Sequence, residues 1–111
     1  MNWNKLTEAR QINEIKDLSA EKPVLIFKHS TRCSISSMSL DRLLRKWKDA
    51  DLEKVTPYFL DLIAHRELSE LVAREFDVLH ESPQVLLIKN GGAIYDNSHF
   101  GISYAELMQN I

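Results

Sequence analysis

Cys33 is the residue best suited to covalent chemistry, and it is the only cysteine in the 111-residue chain. A cysteine attacks disulfides as the thiolate. Ser34-Ile35-Ser36 follow it, giving the pattern C-x-x-S. Ser36 stands where dithiol oxidoreductases place a second cysteine. A hydroxyl cannot attack a mixed disulfide, so any disulfide formed on Cys33 needs an external thiol to resolve it. That thiol is a small molecule, another protein or a second copy of the chain. Ser36 is expected to hydrogen-bond the Cys33 thiolate; its plainer reading is a small, well-tolerated helix residue.

The neighbours of Cys33 give it a reactive setting. Val24-Leu25-Ile26-Phe27 is a continuous apolar run, the mark of a central strand covered on both faces. Lys28-His29-Ser30-Thr31-Arg32 reads as a polar turn, and after Cys33 the residues Ile35, Ser36, Leu40, Leu43, Leu44 and Trp47 recur at helical spacing. Cys33 is therefore expected where a buried strand passes into a long helix. The first turn of a helix has unpaired N–H groups and the positive end of the macrodipole, and both favour an anion there. Arg32, with Lys28 and His29 in the same turn, adds positive potential. The competing reading is a buried structural cysteine, since free cysteine is among the most buried residue types.

The rest of the chain supplies a frame for that junction. Leu6, Ala9, Ile12, Ile15 and Leu18 predict a helix over 7–19 with Thr7 as its N-cap. Residues 2–6 read as a short edge strand, 55–62 as a further strand, and 66–76 as a helix presenting Leu68, Leu71, Val72 and Phe76. Val85-Leu86-Leu87-Ile88, Asn90-Gly91 and Gly92-Ala93-Ile94-Tyr95 form a hairpin signal. Ser103-Tyr104-Ala105-Glu106 has the capping-box pattern that opens a terminal helix. The order (β)αβαβαββα implies an α/β domain with a mostly parallel mixed sheet flanked by helices and one antiparallel strand from the closing hairpin. It resembles the thioredoxin-like fold, and residues 1–111 read as one such domain.

Pro83 opens the closing hairpin, and an X-Pro bond there can be cis. In this fold class the loop lies beside the reactive cysteine, where the Ser82 backbone can pair with an extended substrate. Composition closes off other classes. With 44% hydrophobic and 27% charged residues and a formal net charge of −2, the chain has no general nucleic-acid footprint. Arg42, Arg45, Lys46 and Lys48 are offset by Asp41, Asp49 and Asp51 and read as a solvated helix face. No apolar run reaches the ~20 residues that cross a bilayer. The start lacks a signal-peptide core, so the expected location is cytoplasmic. One cysteine and four scattered histidines give no zinc-site spacing. A C-x5-R phosphate loop needs arginine at position 39, which is Ser39. A one-cysteine peroxidase needs a proline ahead of the cysteine that is missing here.

Lys28 through Ser36, together with His80-Glu81-Ser82-Pro83-Gln84, resemble the monothiol bacilliredoxins of the YtxJ (BrxC) family. The resemblance runs over nearly the whole chain, including Arg74-Glu75-Phe76 and Lys89-Asn90-Gly91. It implies a thioredoxin-like oxidoreductase that removes bacillithiol from S-bacillithiolated proteins. It also implies Cys33 as the reactive cysteine and Pro83 as a cis-proline. Bacillithiol would be a co-substrate rather than a tightly bound cofactor. The partners would be S-thiolated client proteins and a low-molecular-weight thiol. The thiol is expected between the start of the Cys33 helix, the Ser82-Pro83 loop and the turn near Gly91 or Gly101. Arg32, Ser34, Ser82 and Pro83 are the expected substrate contacts, with Lys28 and Arg32 meeting carboxylates. Ser34 departs from the family's usual Cys-Pro-Ile-Ser: it restores an N–H and adds a hydroxyl, which bears on redox potential and thiol preference. Two other readings stay open at this stage. One is a non-catalytic thioredoxin-fold binding module with an inert Cys33; the other is an iron–sulfur carrier like monothiol glutaredoxins.

Overall fold

The computed structural model describes residues 3–111. Its strands are β1 (Asn4–Lys5), β2 (Val24–His29), β3 (Thr56–Asp61), β4 (Gln84–Lys89) and β5 (Gly92–Ser98). Its helices are α1 (Arg10–Leu18), α2 (Ser34–Lys46), α3 (Arg66–Phe76) and α4 (Tyr104–Gln109), with 3-10 turns at Asp49–Glu53 and His99–Gly101. The sheet order is β1-β3-β2-β4-β5. β1, β3 and β2 run parallel, and β4 is antiparallel to both β2 and β5. The reversed strand is thus β4, and the closing strand β5 returns to the direction of β2.

β2 is buried at all six positions, as an apolar run in the middle of a two-sided sheet requires. Ile26 and Leu60 face α1 and α3, in a core with Ile12, Ile15, Leu68, Val72 and Phe76. Leu25 and Phe27 face α2 and α4, in a core with Leu43, Val85, Leu87 and Leu107. The two cores lie on opposite faces because neighbouring strand residues point opposite ways.

Several local expectations are corrected. α1 starts at Arg10, not Thr7, and Thr7 does not cap it. The Gln11 side chain reaches back instead and accepts from the Thr7 and Glu8 amides at 2.7 and 2.9 Å. Ala9 and Leu18 are exposed, so only Ile12 and Ile15 of that stripe are buried within the helix. The expected edge strand over 2–6 narrows to Asn4–Lys5, and Asn2 lies outside the described residues. On α2 the buried positions are Ser36, Ser39 and Leu43, and Leu44 faces out. Asp51 is buried, not solvated: it accepts from the Tyr104 hydroxyl at 2.6 Å and the Lys48 amide at 2.9 Å. That bond, with burial, pushes the Tyr104 phenol up to about 12.

The Asn90–Gly91 turn has φ of 52° and 81°, the paired positive values a two-residue hairpin needs. Its amides bond to the carbonyl and hydroxyl of Ser19 at 2.9 and 2.8 Å, tying the hairpin tip to the end of α1. The register steps between Leu87 and Ile88, whose partners are Tyr95 and Ala93, so Ile94 is an extra residue in β5. Ser103 caps α4 by accepting from the Glu106 amide at 3.4 Å. The reciprocal half of the capping box is given up, and the Glu106 carboxylate takes the Tyr95 hydroxyl at 2.9 Å.

Candidate functional site

Cys33 is the N-cap of α2, with extended backbone (φ −109°, ψ 118°). Its amide closes a turn onto the Ser30 carbonyl at 3.1 Å, and its carbonyl accepts the Ser37 amide at 3.1 Å. The thiol is free and half-buried. As N-cap it precedes the unpaired amides of the first turn, where no acidic side chain stands.

Ser36 is buried, and its hydroxyl does not serve the thiolate. It accepts from the Ser30 amide at 3.1 Å and shares a 2.7 Å hydrogen bond with His29 Nδ1. Ser36 therefore braces the loop that carries Cys33. His29 in turn packs against the Phe59 and Phe27 rings, with centroids 5.5 and 6.3 Å away. Burial pulls the His29 ring down, and Asp61 only partly offsets it.

The Ser82–Pro83 bond is cis, and Ser82 and Cys33 line one cleft of about 430 Å³. The Ser82 hydroxyl oxygen is enclosed and has no hydrogen-bond partner among the described residues. The Pro83 carbonyl accepts the His99 amide at 3.0 Å, and the His99 carbonyl accepts from Ser39 of α2 at 3.2 Å. The proline loop and the Cys33 helix are thus connected through the turn His99–Gly101. Of the two glycines expected near the thiol, Gly101 lies at this end of the sheet. Gly91 lies at the opposite end, beside Ser19, and is removed from the site.

Arg32 and Ser34 flank Cys33 in the chain and are exposed, but neither lines the cleft. Lys28 and His29 are not in the turn at all. They are the last two residues of β2, and Lys28 is fully buried. Lys28 therefore meets no solvent ligand. Its Nζ donates to the Ser69 carbonyl at 3.1 Å and to His80 Nδ1 at 3.2 Å. Burial lowers its ammonium to about 8. The His80 ring is also pulled down, by burial first and then by Lys28, against Glu81 and Glu70.

The sequence reading missed the far wall of the cleft: Leu62, Ile63, Arg66, Ser69, Glu70 and His80. His80 lies three residues before Pro83, so its place in the motif was visible. Its contacts 11 and 52 residues away were not. Among the described residues no cluster of three His, Cys, Asp or Glu stands close enough for a metal ion, and no helix is long and apolar enough to cross a membrane.

Residues 4–107 match the family model for the monothiol bacilliredoxin BrxC. The chain belongs to that family. A solved structure described as a candidate oxidoreductase with a thioredoxin fold is 29% identical, with a TM-score of 0.80, covering 96% of this chain and 90% of that one. Thioredoxin from Malassezia sympodialis is 18% identical at a TM-score of 0.73, covering 97% and 86%. Mitochondrial thioredoxin 3 from Saccharomyces cerevisiae, in its oxidized form, is 20% identical at 0.66, covering 98% and 92%. The two thioredoxins show the fold alone. This BrxC-family chain is a thioredoxin-fold protein whose single thiol sits at the edge of a cleft beside a cis-proline.

Proposed function

We propose that the protein removes bacillithiol from S-bacillithiolated client proteins by monothiol exchange at Cys33. The observation that carries this reading is the shared cleft of the half-buried Cys33 thiol and Ser82, next to the cis Ser82–Pro83 bond. BrxC-family membership supports the choice of bacillithiol. The Cys33 thiolate attacks the bacillithiol sulfur of the client's mixed disulfide. That S–S bond breaks, and the client sulfur departs as a thiolate that takes up a proton. Cys33 then carries bacillithiol as a disulfide. With no second cysteine in the chain, a free bacillithiol thiolate attacks the sulfur of the bound bacillithiol. Cys33 is released and bacillithiol disulfide forms, so two electrons pass from the thiol pool to the client. The Ser82 backbone, on the wall of the cleft, is the group left to hold the substrate chain.

Intact mass spectrometry after incubation with bacillithiol disulfide, glutathione disulfide or coenzyme A disulfide tests this. The expected result is an adduct with bacillithiol in preference to the other two, absent in Cys33→Ser. Cys33→Ser is also expected to lose all release of bacillithiol from a modified client. Preference for another thiol would reassign the co-substrate. No adduct with any disulfide would favour a non-catalytic binding module.

A further inference from the structure

Lys28 is a buried cation with no carboxylate beside it. Among the described residues no acidic group pairs with it, and its hydrogen bonds go to a helix carbonyl and a neutral ring. An unpaired buried charge is a burden on stability that a core normally avoids. The ring it meets belongs to His80, which lines the cleft that holds Cys33. An ammonium has donors only, so His80 Nδ1 must be the acceptor in that bond. The ring proton is then on Nε2, the nitrogen that Lys28 and Ser69 leave free.

Resting on the exchange reading above, we propose that Lys28 and His80 form a proton relay into the Cys33 cleft, serving the thiolate that departs when Cys33 attacks. The bond from Cys33 to the substrate sulfur forms as the substrate S–S bond breaks, and the departing sulfur keeps the electron pair. It takes the Nε2 proton of His80. Nδ1 takes a proton from Lys28 Nζ, leaving a neutral amine. The relay resets when Nε2 recovers a proton from solvent through the open cleft and Nδ1 returns its own to Lys28. His80 is the group that meets the substrate, and Lys28 is a positioning and proton-supplying residue behind it. The Ser69 hydroxyl, 3.2 Å from Nδ1, steadies the ring.

The relay needs a charged Lys28 and a neutral His80. Burial lowers both, so the two conditions hold together from below the ordinary histidine range up to about 8. The charged groups facing His80 are Lys28 from β2, Glu70 from α3 and the adjacent Glu81, which is itself paired with His99 at 3.0 Å. Arg66 of α3 shares the cleft.

The test compares two leaving groups on the full chain. Cys33 is reacted with 2-hydroxyethyl disulfide, whose alkyl thiolate needs a proton, and with 5,5′-dithiobis(2-nitrobenzoate), whose aromatic thiolate does not. In Lys28→Met and His80→Asn the alkyl rate is expected to fall relative to the aromatic rate by roughly tenfold, below the usual range of general-acid effects because a thiolate is a modest base. The wild-type advantage should fade as pH rises past about 8. Loss of both rates in proportion would mark a structural role and overturn the relay, as would no change in either. His80 is exposed, so His80→Asn carries the test even if Lys28→Met does not fold. A His80→Gln variant that restored the wild-type ratio would show that a fixed donor suffices, and would also overturn it. If wild-type Cys33 reacted with neither disulfide, the exchange reading would fall and the relay with it. If wild type reacted with both and the variants kept its ratio, only the relay would fall.

Discussion

At the end of β2 two consecutive polar residues enter opposite faces of the sheet. His29 enters the α2 face, where its Nδ1 meets the Ser36 hydroxyl and its ring sits among aromatic neighbours. In that small network the Ser36 hydroxyl, the Ser30 amide and His29 Nδ1 are all partnered, and none carries a formal charge. Lys28 enters the α3 face, where its charge meets only a carbonyl and an imidazole. Both residues are buried, yet they differ in kind. A satisfied neutral network specifies geometry, and here it sets the Ser30–Cys33 turn. A buried cation held by neutral groups keeps a proton close to release, at a standing cost in stability. The same strand therefore braces the cysteine on one side and places a titratable group behind its cleft on the other.

The largest effect should come from the bracing side. Ser36→Ala strands the Ser30 amide and the His29 ring nitrogen, a loss of about 2–3 kcal/mol from two buried groups without partners. Urea denaturation measures it, and the alkyl-to-aromatic rate ratio should not move. A drop near zero would show that the α2-face network is not structural, and the contrast between the faces would fail.

The Lys28 side should respond with the opposite sign. Removing an unpaired buried charge, Lys28→Met is expected to stabilise the fold by about 1–2 kcal/mol at neutral pH. The pH dependence follows from the lowered lysine. Between about 8 in the folded state and 10.5 in the unfolded chain, the unfolded state holds more protons. Wild-type stability from this group therefore rises with pH across that window, and below about 8 the full penalty is present. The advantage of Lys28→Met should shrink as pH climbs toward 10.5. A difference that stays constant with pH would mean Lys28 is not held as a depressed cation.

The smallest effect should come from a charge pair on the outside of α2, away from both networks. Arg45 and Asp41 are 2.7 Å apart at i and i+4 on an exposed surface. Arg45→Ala should cost no more than about 0.5 kcal/mol, and less in high salt. A larger loss would show that α2 depends on its outer face as well as on its buried serines.

These contrasts explain what could be read in the chain. Local patterns are written in neighbouring residues, and they were legible: the apolar run of β2, the α3 limits Arg66 and Phe76, the Asn90-Gly91 turn, and Cys33 where strand meets helix. The end of β2 was not, because two polar residues after four apolar ones look like a turn. Only Ser36, seven residues on, and Ser69 and His80, 41 and 52 residues on, make their burial tolerable. The role expected of Ser36 failed for the same reason. C-x-x-S spacing puts its hydroxyl near the sulfur, but not which of the competing donors and acceptors it will choose. Thr7 was outcompeted as a cap by the longer reach of Gln11.

The hairpin fastened at both of its ends acts as a ruler. Its tip is pinned to Ser19, and its base is pinned where the His99 amide meets the Pro83 carbonyl. Six residues of β4 span the gap, about 20 Å at the rise of an extended strand. The extra Ile94 is taken up by the register step inside β5, so both fastenings close at once. Inserting or deleting one residue in β4 would leave the tip where it is and carry the proline off its mark. The spacing between proline and sulfur is thus gauged from the opposite pole of the molecule.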